Sequence, residues 1–150
     1  MTADVASIVS LVLAGVLTGN ELGTLAVVHP ALRRLGFAEE VAAEREITRR
    51  YGFFMPVLMN ATVVAAFVAA GQLDGSARTL ALAGGGCYLV MVVITLAGNV
   101  PINVRTLRFD QNDEREWRAM RGRWDRLHAL RIALDVGGFT LIAAAAVTQS

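Results

Sequence analysis

The stretch WRAMRGRWDRLHALRIALD, residues 117–135, carries Trp117, Arg121, Trp124, His128, Arg131 and Asp135 at alternating steps of four and three. On an α-helix that spacing places all six side chains on one stripe. The stripe is polar and aromatic: two indoles, two guanidiniums, an imidazole and a carboxylate. Beyond Arg131 the chain becomes a run of apolar and small residues to Val147, with Asp135 its only charged residue. A helix with this face runs straight into a membrane-type segment, and such a face needs partners from other elements.

Composition agrees with a membrane setting. Of 150 residues 55% are hydrophobic, and the mean hydropathy is +0.50. Both values are high for a soluble globule and ordinary for a small polytopic membrane protein. The length fits one domain. The net charge of +1 argues against a general nucleic-acid-binding surface. A single cysteine, Cys87, excludes an internal disulfide and any cysteine-based metal motif.

Four apolar segments follow from the hydropathy pattern, at about 5–28, 51–70, 77–98 and 131–147. The expected fold is all-α: a four-span transmembrane bundle whose second and fourth helices extend beyond the bilayer on one side. The first segment lacks a preceding basic region and is longer than a signal-peptide core, so it reads as a retained span. Gly15, Gly19 and Gly23 recur every fourth residue in it. This small-residue face suits close helix approach, within the bundle or in a homo-oligomer. Gly84, Gly85 and Gly86 do the same in the third span. Pro30 closes span one or opens a new turn, Pro56 kinks span two, and Pro101 disfavours continued helix after span three. Asp113 is placed to cap the last helix.

All fourteen basic residues are arginines, and thirteen lie in the two larger connections and their projecting helices; the opposite side has only Arg78. The positive-inside rule then puts those connections in the cytoplasm and both termini outside, in the cell membrane.

Placed by depth, Glu21, Asn60, Asn99 and Asp135 fall in the cytoplasmic half of their spans. His29, Tyr51, Asn103, Trp124, His128 and Arg131 fall near that interface. Polar groups at membrane depth are costly unless paired, and four-helix bundles build sites from facing helices. One polar pocket is therefore expected, open toward the leaflet. Its substrate-binding candidates are Asn99, Asn103, Trp124, Tyr51, Asn60 and Asp135. The plainer alternative is that Glu21 and Asp135 simply lock onto Arg131. A metal held by His29, His128 and a carboxylate is a further, weaker possibility.

Three features together resemble a known family. They are the small-residue span ending in His29-Pro30, the Asn99-x-Pro101-x-Asn103 element, and Trp117 followed by Arg123-Trp124-x3-His128-x2-Arg131. The chain is similar over nearly its whole length to the DUF1772 family of small four-span membrane proteins, which contains anthrone oxygenases of aromatic polyketide pathways. The resemblance implies oxidation of an activated CH2 in a phenolic tricycle by O2, with no added cofactor. Such chemistry needs a base, a donor for the enolate oxygen and a flat apolar slot. His128 would be the base, or Glu21 if burial raises its pKa. Arg131 and Asn103 would hold the oxygen, and Trp124 and Tyr51 would stack on the rings. Two other classes compete. One is a non-catalytic membrane subunit or small-ligand-binding protein. The other is a small proton-coupled transporter using Glu21.

Overall fold

The computed structural model describes residues 2–110 and 113–148, nearly all of them helical. Helix α1 is Thr2–Gly23, followed without a break by a π-helical turn at Thr24–Val28 and by α2, His29–Leu32. Helix α3, Phe37–Ala70, is 34 residues long. Helix α4, Gly75–Ile94, passes through a second π-helical turn, Thr95–Asn99, into α5, Val100–Arg108. Helix α6, Glu114–Thr148, has 35 residues. Four continuous rods result, each long and apolar enough to cross a membrane. At about 1.5 Å per residue α3 and α6 are each about 50 Å long, well beyond a hydrocarbon core of about 30 Å. This is a multi-pass membrane protein.

The rods pack as an up-down-up-down ring: α1 with α3, α3 with α4, α4 with α6, and α6 with α1. Helices α4 and α6 approach closely. A methyl group added at Gly84 would lie 2.8 Å from Ile142, and one added at Gly138 would lie 2.9 Å from Tyr88. Packing between membrane helices rests on such small residues. Gly15 is covered within the chain by Phe139, whereas Gly19 and Gly23 have open space beside them.

The prolines act differently from expectation at one place. Pro101 does not interrupt its rod. A proline lacks the N–H for the i−4 carbonyl and its ring crowds that carbonyl; here the helix widens into a π turn just before it. Pro30 is treated the same way. In both turns the backbone N–H that follows, from His29 or Val100, reaches back five residues to Thr24 or Thr95. The two segments read TLAVVHP (24–30) and TLAGNVP (95–101), and each threonine hydroxyl donates to the carbonyl four residues back, at 2.8 Å. The α1–α3 and α4–α6 hairpins thus share one design. Pro56 stays inside α3 with Gly52, which has no side chain to crowd it, one turn before. Asp113 caps α6 as expected, accepting from the Glu116 N–H at 3.0 Å.

Three apolar clusters stack along the bundle. Ala70, Leu73, Ala77, Ala81 and Ala145 close one end. Leu17, Met55, Met59, Tyr88, Met91 and Ile142 fill the middle. Val41, Ile102, Phe109, Trp117, Met120 and Trp124 close the arginine-rich end. The polar groups of the α6 stripe sit between the middle cluster and the last.

Candidate functional site

All six residues of the α6 stripe are buried, from Trp117 to Asp135. Four of them, Arg121, Trp124, His128 and Arg131, line a cavity of about 260 Å³ that draws side chains from every rod. The volume is near the lower end of the ~300–1,000 Å³ typical of small-molecule sites. Helix α1 with its π turn and α2 gives Asn20, Glu21, Thr24 and His29. Helix α3 gives Glu44, Tyr51, Met55 and Met59, among others. The fourth wall is Thr95, Val100, Asn103, Val104 and Leu107.

The polar half of the cavity is built from two similar triads. In the first, Glu21 takes a hydrogen bond from Arg131 through Oε1, while its Oε2 stands 3.0 Å from His128 Nδ1. The latter pair is at ionic distance, and neither atom has a hydrogen-bond partner. In the second, Glu44 Oε1 lies 3.1 Å from His29 Nδ1 and accepts from Arg121 at 2.9 Å. Each triad is a histidine, a glutamate and an arginine, all at most 5% exposed. Burial of such charges is tolerated only because each carboxylate has a cation beside it.

Three rings tie the triads together. The His29 and His128 centroids are 5.8 Å apart, and Trp124 packs on both, at 4.7 and 4.6 Å. The Arg121 guanidinium lies over the Trp124 ring at 4.6 Å, a cation–π contact. The Trp124 indole N–H donates to Asn103 Oδ1 at 2.8 Å. That bond orients the Asn103 amide so that its NH2 remains as a donor. On the other side, the Tyr51 hydroxyl lies 3.4 Å from both Asn20 Nδ2 and the Thr24 hydroxyl. Asn20 Oδ1, Glu21 Oε2, Arg131 Nε and the Nε2 atoms of both histidines have no protein hydrogen-bond partner. All belong to residues that line the cavity, and the protein leaves their hydrogen-bonding capacity unmet.

The structure brings together Glu21, His128, Arg131, Asn103, Trp124 and Tyr51 from the expected set. It separates three others. Asn60 is exposed and donates to the Pro56 carbonyl at 2.7 Å. The inward stripe of α3 runs through Met55, Met59 and Thr62, and position 60 falls on the far side of it. Asn99 is buried at the end of its π turn with its amide unpartnered, away from the cavity lining. Asp135 is fully buried one turn beyond Arg131. There the Tyr88 hydroxyl (3.2 Å) and the Thr18 hydroxyl (3.3 Å) close on its backbone carbonyl, and its carboxylate meets no protein partner. The lock expected from Glu21, Asp135 and Arg131 is thus a Glu21–Arg131 pair that includes His128 instead, and it leaves a cavity open.

Glu44 is absent from the sequence-based candidates, Arg121 stands there only as a member of the α6 stripe, and His29 only as a metal ligand. Two signals point to them. Counting back from Met55 through Tyr51 and Thr48 by helical steps reaches Glu44, and the TLA-x3-P repeat marks the turn that holds His29. Among the described residues no group of three or more histidine, cysteine or acidic side chains is arranged to hold a metal ion.

The pattern that defines anthrone oxygenases matches residues 45–141. The chain belongs to the anthrone oxygenase family. The matched stretch holds Tyr51, Asn103, Arg121, Trp124, His128 and Arg131, and leaves Glu21, His29 and Glu44 outside it. No curated relative and no solved structure matches the chain.

Proposed function

We propose that the protein oxidises an apolar, anthrone-type aromatic with O2, converting an activated CH2 to a carbonyl and releasing water. The observation that carries the reading is His128, which lines a cavity together with Trp124, Tyr51, Met55 and Met59 and whose buried Nε2 has no protein partner. In this reading His128 takes a proton from the CH2 group, with its Nδ1 side turned to Glu21. Glu21 is a positioning residue: it already serves Arg131 and His128, which leaves it poorly placed as the base. Arg131 and the Asn103 amide hold the oxygen on which the enolate charge gathers. Trp124 and Tyr51 flank the rings. The carbanionic carbon combines with O2, and the hydroperoxide formed loses water to leave the ketone. Carbon and oxygen balance as CH2 plus O2 giving C=O plus H2O, so no external reductant enters.

The substrate class is supported by the cavity's rim. Gly52 and Pro56 on α3 and Val100, Val104 and Leu107 on α5 are exposed. Phe53, Phe54, Val57 and Leu96 extend this apolar surface. An apolar tricycle dissolved in the leaflet meets the cavity there. We also place the arginine-rich end in the cytoplasm of a cell-membrane protein, with both termini outside, from the thirteen-to-one distribution of arginine. Side-selective labelling of a cysteine at Leu35, in a Cys87→Ala background, reads that orientation.

The test is oxygen uptake by the purified, lipid-reconstituted protein with an anthrone. Ketone should form with one O2 consumed per turnover. His128→Gln should remove turnover, by about 10²–10⁴-fold for a lost general base, with the melting temperature kept. Full turnover by that variant would remove His128 from the chemistry. A wild type inert to anthrones, purified with a stoichiometric protein partner, would favour the non-catalytic subunit instead.

A further inference from the structure

The second triad is not used by the chemistry above, yet its geometry repeats the first. His29 is 4% exposed. Its Nδ1 is 3.1 Å from Glu44 Oε1, and the same oxygen accepts from Arg121. Its Nε2 is buried without a protein partner, in a residue that lines the cavity 5.8 Å, centroid to centroid, from His128. A histidine that served only to pack would not be expected to leave a buried Nε2 unpartnered. With Nδ1 held by Glu44, Nε2 is the ring atom left for proton transfer, and it is a donor when the ring carries both protons.

The proposed reaction, on which this inference rests, has a step that calls for such a donor. Breakdown of the hydroperoxide removes the second C–H proton, forms the C=O bond and breaks the O–O bond. The electron pair of the O–O bond leaves with the outer oxygen as hydroxide. One group must accept the carbon proton while another protonates the departing oxygen. His128, neutral again after returning its first proton to the peroxide, accepts. We propose that His29, held by Glu44, is the cavity's second proton-transfer residue and protonates the departing hydroxide to water. After the step His128 carries a proton and His29 is neutral, and transfer between the two through the cavity restores the starting state. The charged and titratable groups around His29 are Glu44 from α3 and Arg121 and His128 from α6. Those around His128 are Glu21 from α1, Arg131 on its own helix, and His29.

The experiment separates the two oxygen-dependent stages in wild type and His29→Gln. In the variant, O2 consumption in the first seconds should persist, while ketone formation slows by about a hundredfold or more and a hydroperoxide accumulates that peroxide reagents detect. The wild-type kcat should fall on both sides of a pH optimum, and the alkaline fall should be absent from the residual rate of His29→Gln. A parallel drop in O2 uptake and ketone, or no change in either, would overturn the assignment while leaving the oxygenase reading intact. Should the variant fail to fold, the wild-type profile decides alone: a rate that rises with pH to a plateau shows that no acid is required, and overturns it. A metal ion that copurifies with the wild type and is lost from His29→Gln would assign the imidazole to ligation and overturn it too. A wild type that takes up no O2 with any anthrone would overturn this inference together with the reading beneath it.

Discussion

Arg131 shows how a single buried charge serves stability and chemistry together. Its guanidinium pairs with Glu21 inside the bundle, and its Nε has no protein partner. Replacing it by methionine keeps the volume but leaves Glu21 as an uncompensated charge, which costs about 3–5 kcal/mol. The Arg131→Met protein should therefore melt well below wild type in the same detergent. The double variant with Glu21→Gln should recover most of the loss, because the apolar and neutral pair needs no counter-ion. Both should lack turnover. If the double variant melts no higher than the single, the pair is not the source of the instability. At this scale the sequence was informative where helical phase could be read. Trp124, His128 and Arg131 share a stripe with no apolar competitor, and the structure buries all of them. Glu44 was hidden by its surroundings, because EEVAAEREITRR reads as a solvated charged helix. Glu46, two residues on, is indeed partnered only by exposed arginines. Only the inward phase of α3 separates the two glutamates.

At the scale of elements, the glycines divide by what faces them. Gly84 and Gly138 let α4 and α6 approach within reach of Ile142 and Tyr88. Gly86 has nothing within 4 Å of an added methyl. Gly138→Val should therefore cost about 1–3 kcal/mol through overpacking, seen as a lower melting temperature. Gly86→Ala should gain up to about 1 kcal/mol through helix propensity. If the two substitutions behaved alike, the small-residue contact would not hold α4 to α6. The spans themselves were legible from hydropathy because bilayer thickness sets their length. The π turns were not. A proline after an apolar run signals an end or a kink on local grounds, and whether the helix widens and continues depends on neighbours in other rods. The repeated TLA-x3-P carries that information in the sequence, but only when the two hairpins are set side by side.

The whole molecule is a bundle with an opening in one side. The seam between α3 and α5 borders the cavity, where Gly52, Pro56, Val100 and Val104 belong to its lining. Gly52 offers no side chain, and nothing lies within 4 Å of where one would begin. The missing N–H of Pro56 leaves the Gly52 carbonyl without its helical donor, and both residues are exposed where they line the cavity. A leaflet-dissolved substrate would pass here, whereas a water-soluble one would approach from the arginine-rich end, where Trp117, Phe109 and Ile102 close the bundle. Gly52→Leu distinguishes the two routes. The leucine has room at the bundle surface, so the melting temperature should not fall, and helix propensity favours it by up to about 1 kcal/mol. Its side chain would stand across the rim. With an anthrone partitioned into the lipid, kcat/KM should fall at least about tenfold while the rate at saturation changes little, since no group that touches the reacting carbon has moved. An unchanged kcat/KM would close the lateral route and direct attention to the arginine-rich end.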